Sequence, residues 1–191
     1  MIYSGAHINV ANPYFQTTRR NYQVNSDYDR VDLTDIPANY MIRSKYQPAC
    51  AMDEYQRRAP MTPWKKSFLS LYRIVNREMV GCASERTLAP AIIPPGTAFV
   101  NTLFGVAYQD DALIPLMEGL ECSLPYDFLV KVIGKGHVNY STNMLFPVVH
   151  SRYEEAIKIR ALLLNCLTEF YADLWQHQFN SSYLSDSWAK I

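Results

Sequence analysis

The segment YRIVNREMVGCASERTLAPAIIPPG, residues 72–96, carries the clearest β-structure signal in the chain. The run YRIVNREMV fits a strand, and GCAS after it predicts a turn. ERTLAPAII then predicts a return strand, which ends at Pro94-Pro95-Gly96 because proline has no N–H to donate to a neighbouring strand. The centre of the chain is therefore predicted to be a β-hairpin.

Further elements are predicted on the C-terminal side of this hairpin. TAFVNTLFGVAY, residues 97–108, is rich in β-branched and aromatic residues and predicts a third strand. Residues 110–134 predict two short helices, with an acidic cap on the first and Pro125 early in the second. HVNYSTNMLFPVV, residues 137–149, predicts one or two short strands.

From Ser151 onward the apolar period changes to that of a helix. We expect one amphipathic helix of about 25 residues, capped by Ser151 and carrying Glu154 and Glu155 in its first turn. Its apolar positions recur at spacings of three and four: Ala156, Ile159, Leu163, Cys166, Leu167, Phe170 and Leu174.

Residues 1–62 have no clear period, and their prolines and turn formers predict extended segments and loops around a core. Thr62 is predicted to cap a short helix over residues 63–71. The fold class is thus α+β: a mostly antiparallel sheet with packed helices and a long C-terminal helix. We expect one domain, with a loop-rich basic segment (1–62), a sheet with helices (63–150) and the closing helix (151–179).

Composition limits the class of protein. The chain has 191 residues, is 49% hydrophobic and has no net charge, which argues against a strongly basic nucleic-acid binder. Residues 1–73 nevertheless hold ten Lys/Arg against six Asp/Glu, so the first third is positive. The sequence has neither a signal-peptide pattern nor a long apolar run, which predicts a cytoplasmic protein without membrane contact. The four cysteines lack metal-ligand spacing and are expected to be reduced, mostly buried thiols.

The segment Asn12-Pro13-Tyr14-Phe15 is close to the Asn-Pro-Pro-aromatic loop with which adenine-specific DNA methyltransferases hold a flipped base. Such enzymes need a Gly-rich donor-binding loop upstream, and only eleven residues precede Asn12. The second proline of the loop is also missing. A turn with two packed aromatic rings is therefore favoured over a catalytic loop. No P-loop, nucleophile elbow or paired histidine spacing occurs either, so no cofactor is expected in this chain.

Four segments carry a family resemblance: HINVANPYF, YMIRSKYQPA, the hairpin with its ERTL and AIIPP runs, and LLLNCLTEFYADLW. In this order they resemble the C-terminal target-recognition region of class I adenine-N6 DNA methyltransferases. These are the type IIG-like restriction–modification enzymes and the methylases of DISARM-type phage defence. The resemblance covers residues 7–175. It implies a domain that reads double-stranded DNA, while a separate catalytic domain or subunit binds S-adenosylmethionine and transfers the methyl group. The chain would then be a fragment or a subunit that works with that catalytic partner.

Such a domain must present donors to bases and phosphates, because arginine reads guanine while lysine mainly grips phosphate. Tyr40 and Tyr46 flank one basic pair, as in proteins that combine stacking with backbone contacts. The alternatives are a solvated basic surface and, for the ERT run, a salt bridge that ties the hairpin together. Asp127 is a candidate buried structural acid. The predicted DNA-binding residues are Arg43, Lys45, Arg77, Arg86, Thr87 and Lys135.

Three functions remain open from the sequence. The first is a DNA-recognition module that is not catalytic by itself. The second is a protein-interaction chain that docks on a methylase without touching DNA, and the apolar stripe of the long helix is its candidate surface. The third is a compact methyltransferase that uses residues 12–15.

Overall fold

The computed structural model describes residues 1–81 and 83–186. The strands and helices are β1 Ile2–Tyr3, β2 Gln16–Thr18, β3 Tyr28–Arg30, α1 Met52–Arg58, β4 Arg73–Arg77, β5 Pro90–Ile93, β6 Ala98–Phe99, β7 Leu103–Val106, α2 Leu113–Glu121, α3 Leu124–Ile133, α4 Tyr140–Asn143, α5 Glu154–Asn165 and α6 Ala172–Gln178.

The α+β class is confirmed, and the described residues form three small sheets. The central sheet is antiparallel in the order β5-β4-β7, and Val75 in its middle strand lies opposite Ala91 and Gly105. β2 and β3 form a second antiparallel pair, whereas β1 and β6 pair in parallel. The predicted central hairpin is thus present as β4 and β5.

The core is built in layers on this hairpin. The side chains of Ile74 and Val75 on β4 are buried, as expected for a central strand that is covered on both faces. Helix α2 packs on β4 and β5, and α5 packs on α2. A Cβ atom at Gly119 would lie 2.5 Å from Cγ2 of Ile157, so a glycine is required for the two helices to approach this closely.

The free edge of β5 is closed by side chains from the C-terminal region. Asn165 Oδ1 accepts a hydrogen bond from the Ile92 N–H at 2.9 Å, and the Tyr171 hydroxyl donates to the Ile92 carbonyl at 2.8 Å. Because both main-chain groups of Ile92 are satisfied, this edge cannot pair with another strand at that residue.

The same contacts explain why the predicted long helix is two helices, α5 and α6. In a continuous helix, Asn165 and Tyr171 would lie about 9 Å apart along the axis and on different faces, so they could not both reach Ile92. The chain instead leaves the helix after Asn165, and the Trp175 indole donates to the freed Cys166 carbonyl at 3.0 Å. A tertiary requirement therefore overrides the local helical period.

Three other local predictions were wrong. Thr62 does not cap a helix over residues 63–71, because its hydroxyl accepts from the Lys66 N–H at 3.0 Å and closes a tight turn. The predicted third strand splits into β6 and β7, since a turn bonds the Leu103 N–H to the Val100 carbonyl at 3.0 Å. Residues 137–149 contain the short helix α4 instead of a strand, and Asn139 caps it by accepting from the Thr142 N–H.

Helix α1 was not expected within the loop-rich segment, and none of its residues is fully buried. Cys166 is buried, Cys50 and Cys122 are partly buried, and Cys82 lies outside the described residues. Within the described ranges, no helix combines the length and the apolar character needed to cross a bilayer.

Asn165→Ala should lower the free energy of unfolding by about 2 kcal/mol, because the buried Ile92 N–H loses its acceptor. Urea denaturation measures this change. Asn101→Ala, at an exposed position, is the matched control and should shift the free energy by no more than about 0.5 kcal/mol. Equal midpoints for the two variants would contradict the edge-closing role.

Candidate nucleic-acid interface

Arg43 and Lys45 lie on a segment that runs beside β2. The Arg43 N–H donates to Thr17 Oγ1 at 2.8 Å, and its Nε donates to the Thr18 carbonyl at 2.8 Å. Among the described residues, the two terminal guanidinium nitrogens of Arg43 have no hydrogen-bond partner, and the residue is exposed. Its free donors can therefore contact an external acceptor.

Lys45 holds the loop between β2 and β3. Its Nζ donates to the carbonyls of Val24 at 3.1 Å and Asn25 at 2.7 Å. The same ammonium lies 4.3 Å from the centre of the Tyr28 ring, a distance at which a cation and an aromatic face attract. Lys45 thus fixes Tyr28 and the loop around a positive charge.

Arg77, at the end of β4, organises the N-terminal segment. Its Nε donates to the Gly5 carbonyl at 3.0 Å, and Nη2 donates to the Ile8 carbonyl. Burial, followed by the nearby charge of Arg30, lowers the pKa of Arg77. The guanidinium groups of Arg30 and Arg77 both lie over the Phe15 ring. Their distances from its centre are 3.7 Å for Arg30 and 5.6 Å for Arg77.

A groove of about 390 Å³ lies where these elements meet. Its lining includes Tyr28, Tyr46, Arg77, Met79 and Thr102. Lys45 reaches the Tyr28 ring, and Arg43 is two residues earlier on the same segment. Of the six predicted residues, Arg77 thus lines the groove and Lys45 contacts one of its two tyrosines.

His7 lies beneath this face and is completely buried. Its Nδ1 accepts from the Ser4 N–H at 2.9 Å, so the ring proton is on Nε2, which faces Thr18 Oγ1 at 3.4 Å. Burial is the main cause that lowers the pKa of His7 to about 4; the charge of Lys45 adds to this effect, and a hydrogen bond with the Arg43 backbone opposes it. His7 is therefore neutral at pH 7 and connects the N-terminus to the 43–46 segment.

Arg86 and Thr87 lie elsewhere, around Asp127 of α3. Asp127 is buried, and its Oδ1 accepts from the N–H groups of Thr87 at 2.7 Å and Leu88 at 2.8 Å. Arg86 Nε lies 3.4 Å from the same oxygen, and its Nη2 donates to the Cys122 carbonyl at 2.6 Å. Although burial opposes it, these N–H groups and the Arg86 charge hold the pKa of Asp127 below its usual range.

This arrangement matches the structural alternative for the ERT run, a salt bridge that ties the hairpin to a helix. Asp127 has the buried structural role that the sequence indicated. Thr87 is only 4% exposed and has no free surface for a base. Lys135 is exposed, and its Nζ donates to Ser141 Oγ at 3.0 Å. It lies two residues before His137, which pairs with Met79 beside the groove.

Asn12-Pro13-Tyr14-Phe15 forms a turn in the core. The Asn12 side chain accepts from the Tyr14 N–H at 2.8 Å, and the buried Tyr14 hydroxyl bonds to Thr168 Oγ1 at 2.7 Å. An asparagine engaged in a turn and a buried ring are not available to hold a flipped base in this conformation.

Sequence reasoning missed a buried pair of acids on α2. Glu118 and Glu121 are both fully buried; the Asn76 amide donates to Glu121 at 2.7 Å, and the Cys122 thiol lies 3.1 Å from Glu118. Burial raises the pKa of Glu118 to about 7 and that of Glu121 to about 8, where the neighbouring Glu118 adds to the effect. The available signal was two acids three residues apart in the otherwise apolar run LIPLMEGLEC.

These acids do not form a metal centre with their neighbours. Within residues 1–81 and 83–186, no group of three or more His, Cys, Asp and Glu side chains has an arrangement suited to a metal ion. Burial disfavours the charged form of both carboxyl groups, so they hold their protons to a higher pH than exposed glutamates do.

No protein-family model matches the chain, and no curated protein or solved structure shows significant similarity to it.

Acidification should destabilise the fold through His7. Its folded pKa of about 4 lies below the ordinary value of 6.5, so the unfolded chain takes up the proton first as the pH falls. The contribution of neutral His7 is complete above pH 6.5 and is lost between 6.5 and about 4. Relative to His7→Asn, which does not titrate there, the natural chain should lose about 3 kcal/mol across this window in urea denaturation. The control is His177→Asn, at an exposed position. The difference in unfolding free energy between this variant and the natural chain should stay constant across the same pH window.

Alkaline pH should act through Glu121 with the opposite sign. The folded pKa of about 8 lies above the ordinary 4.5, so the contribution of the protonated acid is complete below 4.5 and is lost as the pH rises to about 8. Glu121→Gln should therefore need more urea to unfold than the natural chain at about pH 8.5, and this advantage should shrink towards pH 5. The exposed Glu169→Gln should show no such trend; a parallel trend in both variants would contradict the assignment.

Proposed function

We propose that this chain is the DNA sequence-recognition module of an adenine-specific DNA methyltransferase from a restriction–modification or phage-defence system, and that it is not catalytic by itself. The observation that carries the proposal is a groove lined by Arg77, Tyr28 and Tyr46, with Lys45 against the Tyr28 ring and Arg43 two residues from Lys45 in the sequence. The ordered sequence resemblance supplies the identity of the larger enzyme. A cytoplasmic location is part of the proposal.

The chemistry of the groove suits nucleic acid. The free terminal nitrogens of Arg43 can donate to phosphate or to a guanine edge, as lysine and arginine do in DNA complexes. The hydroxyl groups of Tyr28 and Tyr46 can donate to phosphate oxygens of a duplex. Lys45 and Arg77 also hold the surrounding backbone, so the surface is ordered before DNA arrives and binding orders few further groups.

The interface we propose differs from the set predicted from the sequence. It retains Arg43, Lys45 and Arg77, and places Lys135 at its border. It omits Arg86 and Thr87, because Asp127 engages the first and burial hides the second. S-adenosylmethionine would be held by the catalytic partner and not by this chain.

A specific surface favours the assembly function as the second candidate. Leu124, Phe128 and Val132 recur every four residues on α3 and are 71%, 66% and 66% exposed. Such a stripe is the kind of surface that a partner domain covers. The sequence predicted this role for the apolar stripe of the C-terminal helix. That stripe lies partly in the core, because α5 packs on α2. The two functions are compatible if α3 docks on the methylase while the groove faces DNA.

The test is fluorescence anisotropy with labelled random duplex DNA at about 50 and about 200 mM salt. We expect affinity to fall steeply with salt because bound phosphates release counterions. Arg43→Gln with Lys45→Gln should weaken binding at least about tenfold at the lower salt and reduce the slope of log affinity against log salt by about 2.

The matched control removes one arginine and one lysine elsewhere in the basic first third, through Arg57→Gln with Lys66→Gln. This variant should bind nearly as tightly as the natural chain, and circular dichroism checks the fold of both variants. Enrichment of a short motif in the bound pool would establish base reading. The absence of salt-sensitive binding, both alone and when joined to a methylase domain, would overturn the proposal and favour the assembly function.

A further inference from the structure

A second cavity lies beneath α1, with no lining residue in common with the groove. Its volume is about 580 Å³, within the range of small-molecule sites. Tyr55 of α1, Phe68 and Phe99 give it aromatic walls, and Arg58 and Arg73 are its charged lining residues. Since no lining residue is acidic, both charges at this cavity are positive.

Arg73 is the unusual feature of the cavity because it is a buried cation, only 2% exposed. Its Nε donates to the Leu71 carbonyl at 3.2 Å, and its Nη2 donates to the Thr97 carbonyl at 2.6 Å. In the part of the chain that the structure describes, Arg73 forms no ion pair with a carboxylate, and its second terminal nitrogen, Nη1, has no hydrogen-bond partner.

The Nη1 atom of Arg73 retains some solvent-accessible surface. Arg73 lines the cavity, and Nη1 is its open donor. Burial lowers the pKa of Arg73 to about 10, with Tyr3 and Tyr55 opposing the shift, and the group is still charged at pH 7. A buried charge without a counterion is costly, so an anion placed at Nη1 would be stabilised.

The bonds to residues 94–97 explain why an arginine holds that turn, but they do not account for the cavity. The walls are suited to a ring. Phe99 is fixed against Gly105, where a Cβ atom would lie 2.5 Å from its ring, and Phe68 and Tyr55 line the same space. α1 has no fully buried residue, so this wall can shift to admit a ligand at little cost.

We infer that this cavity binds a small aromatic anion, with a carboxylate or phosphate at Arg73 Nη1 and the ring between Tyr55, Phe68 and Phe99. Arg58 at the exposed side adds a second, weaker attraction, since its charge is already paired with Glu54. This site is independent of the proposed DNA-binding groove.

Cys50 provides a local reporter because its partly buried thiol lines the cavity. The probes are 1-naphthoate and its neutral isostere 1-naphthamide, added to the unsubstituted chain at up to about 5 mM, a range suited to ligands of this size. The rate of Cys50 alkylation by iodoacetamide is measured by peptide mass spectrometry. We expect naphthoate to slow alkylation at least about fivefold, and naphthamide to need at least about tenfold more ligand, since a charge-assisted hydrogen bond is worth that factor.

Two variants locate the anionic group. Arg58→Gln should weaken protection by naphthoate about threefold, because its charge is solvent-screened, whereas Arg57→Gln, one residue away and outside the cavity, should not change it. Arg73→Met should abolish the preference for the acid over the amide. If that variant does not fold, the comparison of the two ligands on the natural chain still decides.

A third ligand, 1-naphthyl phosphate, separates the two anion classes. Protection at lower concentration than naphthoate assigns the site to phosphate monoesters, and the reverse order assigns it to carboxylates. Equal protection by the acid and the amide, or protection by neither, would overturn the inference. Loss of DNA binding would leave it intact, because the groove shares no lining residue with this cavity.

Discussion

The architecture depends on the main-chain segment at Ile92, whose N–H and carbonyl both need hydrogen-bond partners. It belongs to the outer strand of the central sheet, where an unpaired N–H and carbonyl would invite another chain. Asn165 and Tyr171 satisfy both groups and thereby fix where α5 ends and α6 begins. One pair of hydrogen bonds therefore closes the sheet edge, breaks the C-terminal helix and positions the buried ring of Tyr171.

Sequence patterns predicted the elements whose causes are local. The β4–β5 hairpin and helices α2 and α3 follow from alternation, prolines and apolar period, and they are present. The break after Asn165 could not be predicted, because its cause is a strand 73 residues earlier in the chain. The strand prediction for residues 137–149 failed for a different reason. The Asn139 side chain stabilises a helical turn, and this effect outweighs the β propensity of the segment.

The candidate site was predictable in residue type but not in role. Tyr40 and Tyr46 flank Arg43 and Lys45 in the sequence, and in the structure Lys45 contacts Tyr28, which lines the same groove as Arg77. What the sequence could not reveal is that Lys45 and Arg77 each donate two hydrogen bonds to backbone carbonyls. In the sequence, Arg86 was as good a candidate as Arg43 and Lys45, yet in the structure it forms an ion pair with the buried Asp127. Whether a basic residue can contact a ligand therefore depends on its partners within the fold.

Among the described residues, the buried ionisable groups considered above are either held by charged or N–H partners or shifted towards their neutral form, with Arg73 as the exception. His7 is neutral between Ser4 and Thr18, and Asp127 is held by two N–H groups and Arg86. Burial raises the pKa of Glu118 to about 7 and that of Glu121 to about 8, so at pH 7 the middle of the chain carries less negative charge than its formal count. Arg73 departs from the rule, since it is buried, charged and without a carboxylate partner among the described residues. Its hydrogen bonds to residues 94–97 account for an arginine at this position, and the proposed anion would supply the counterion that the fold itself does not.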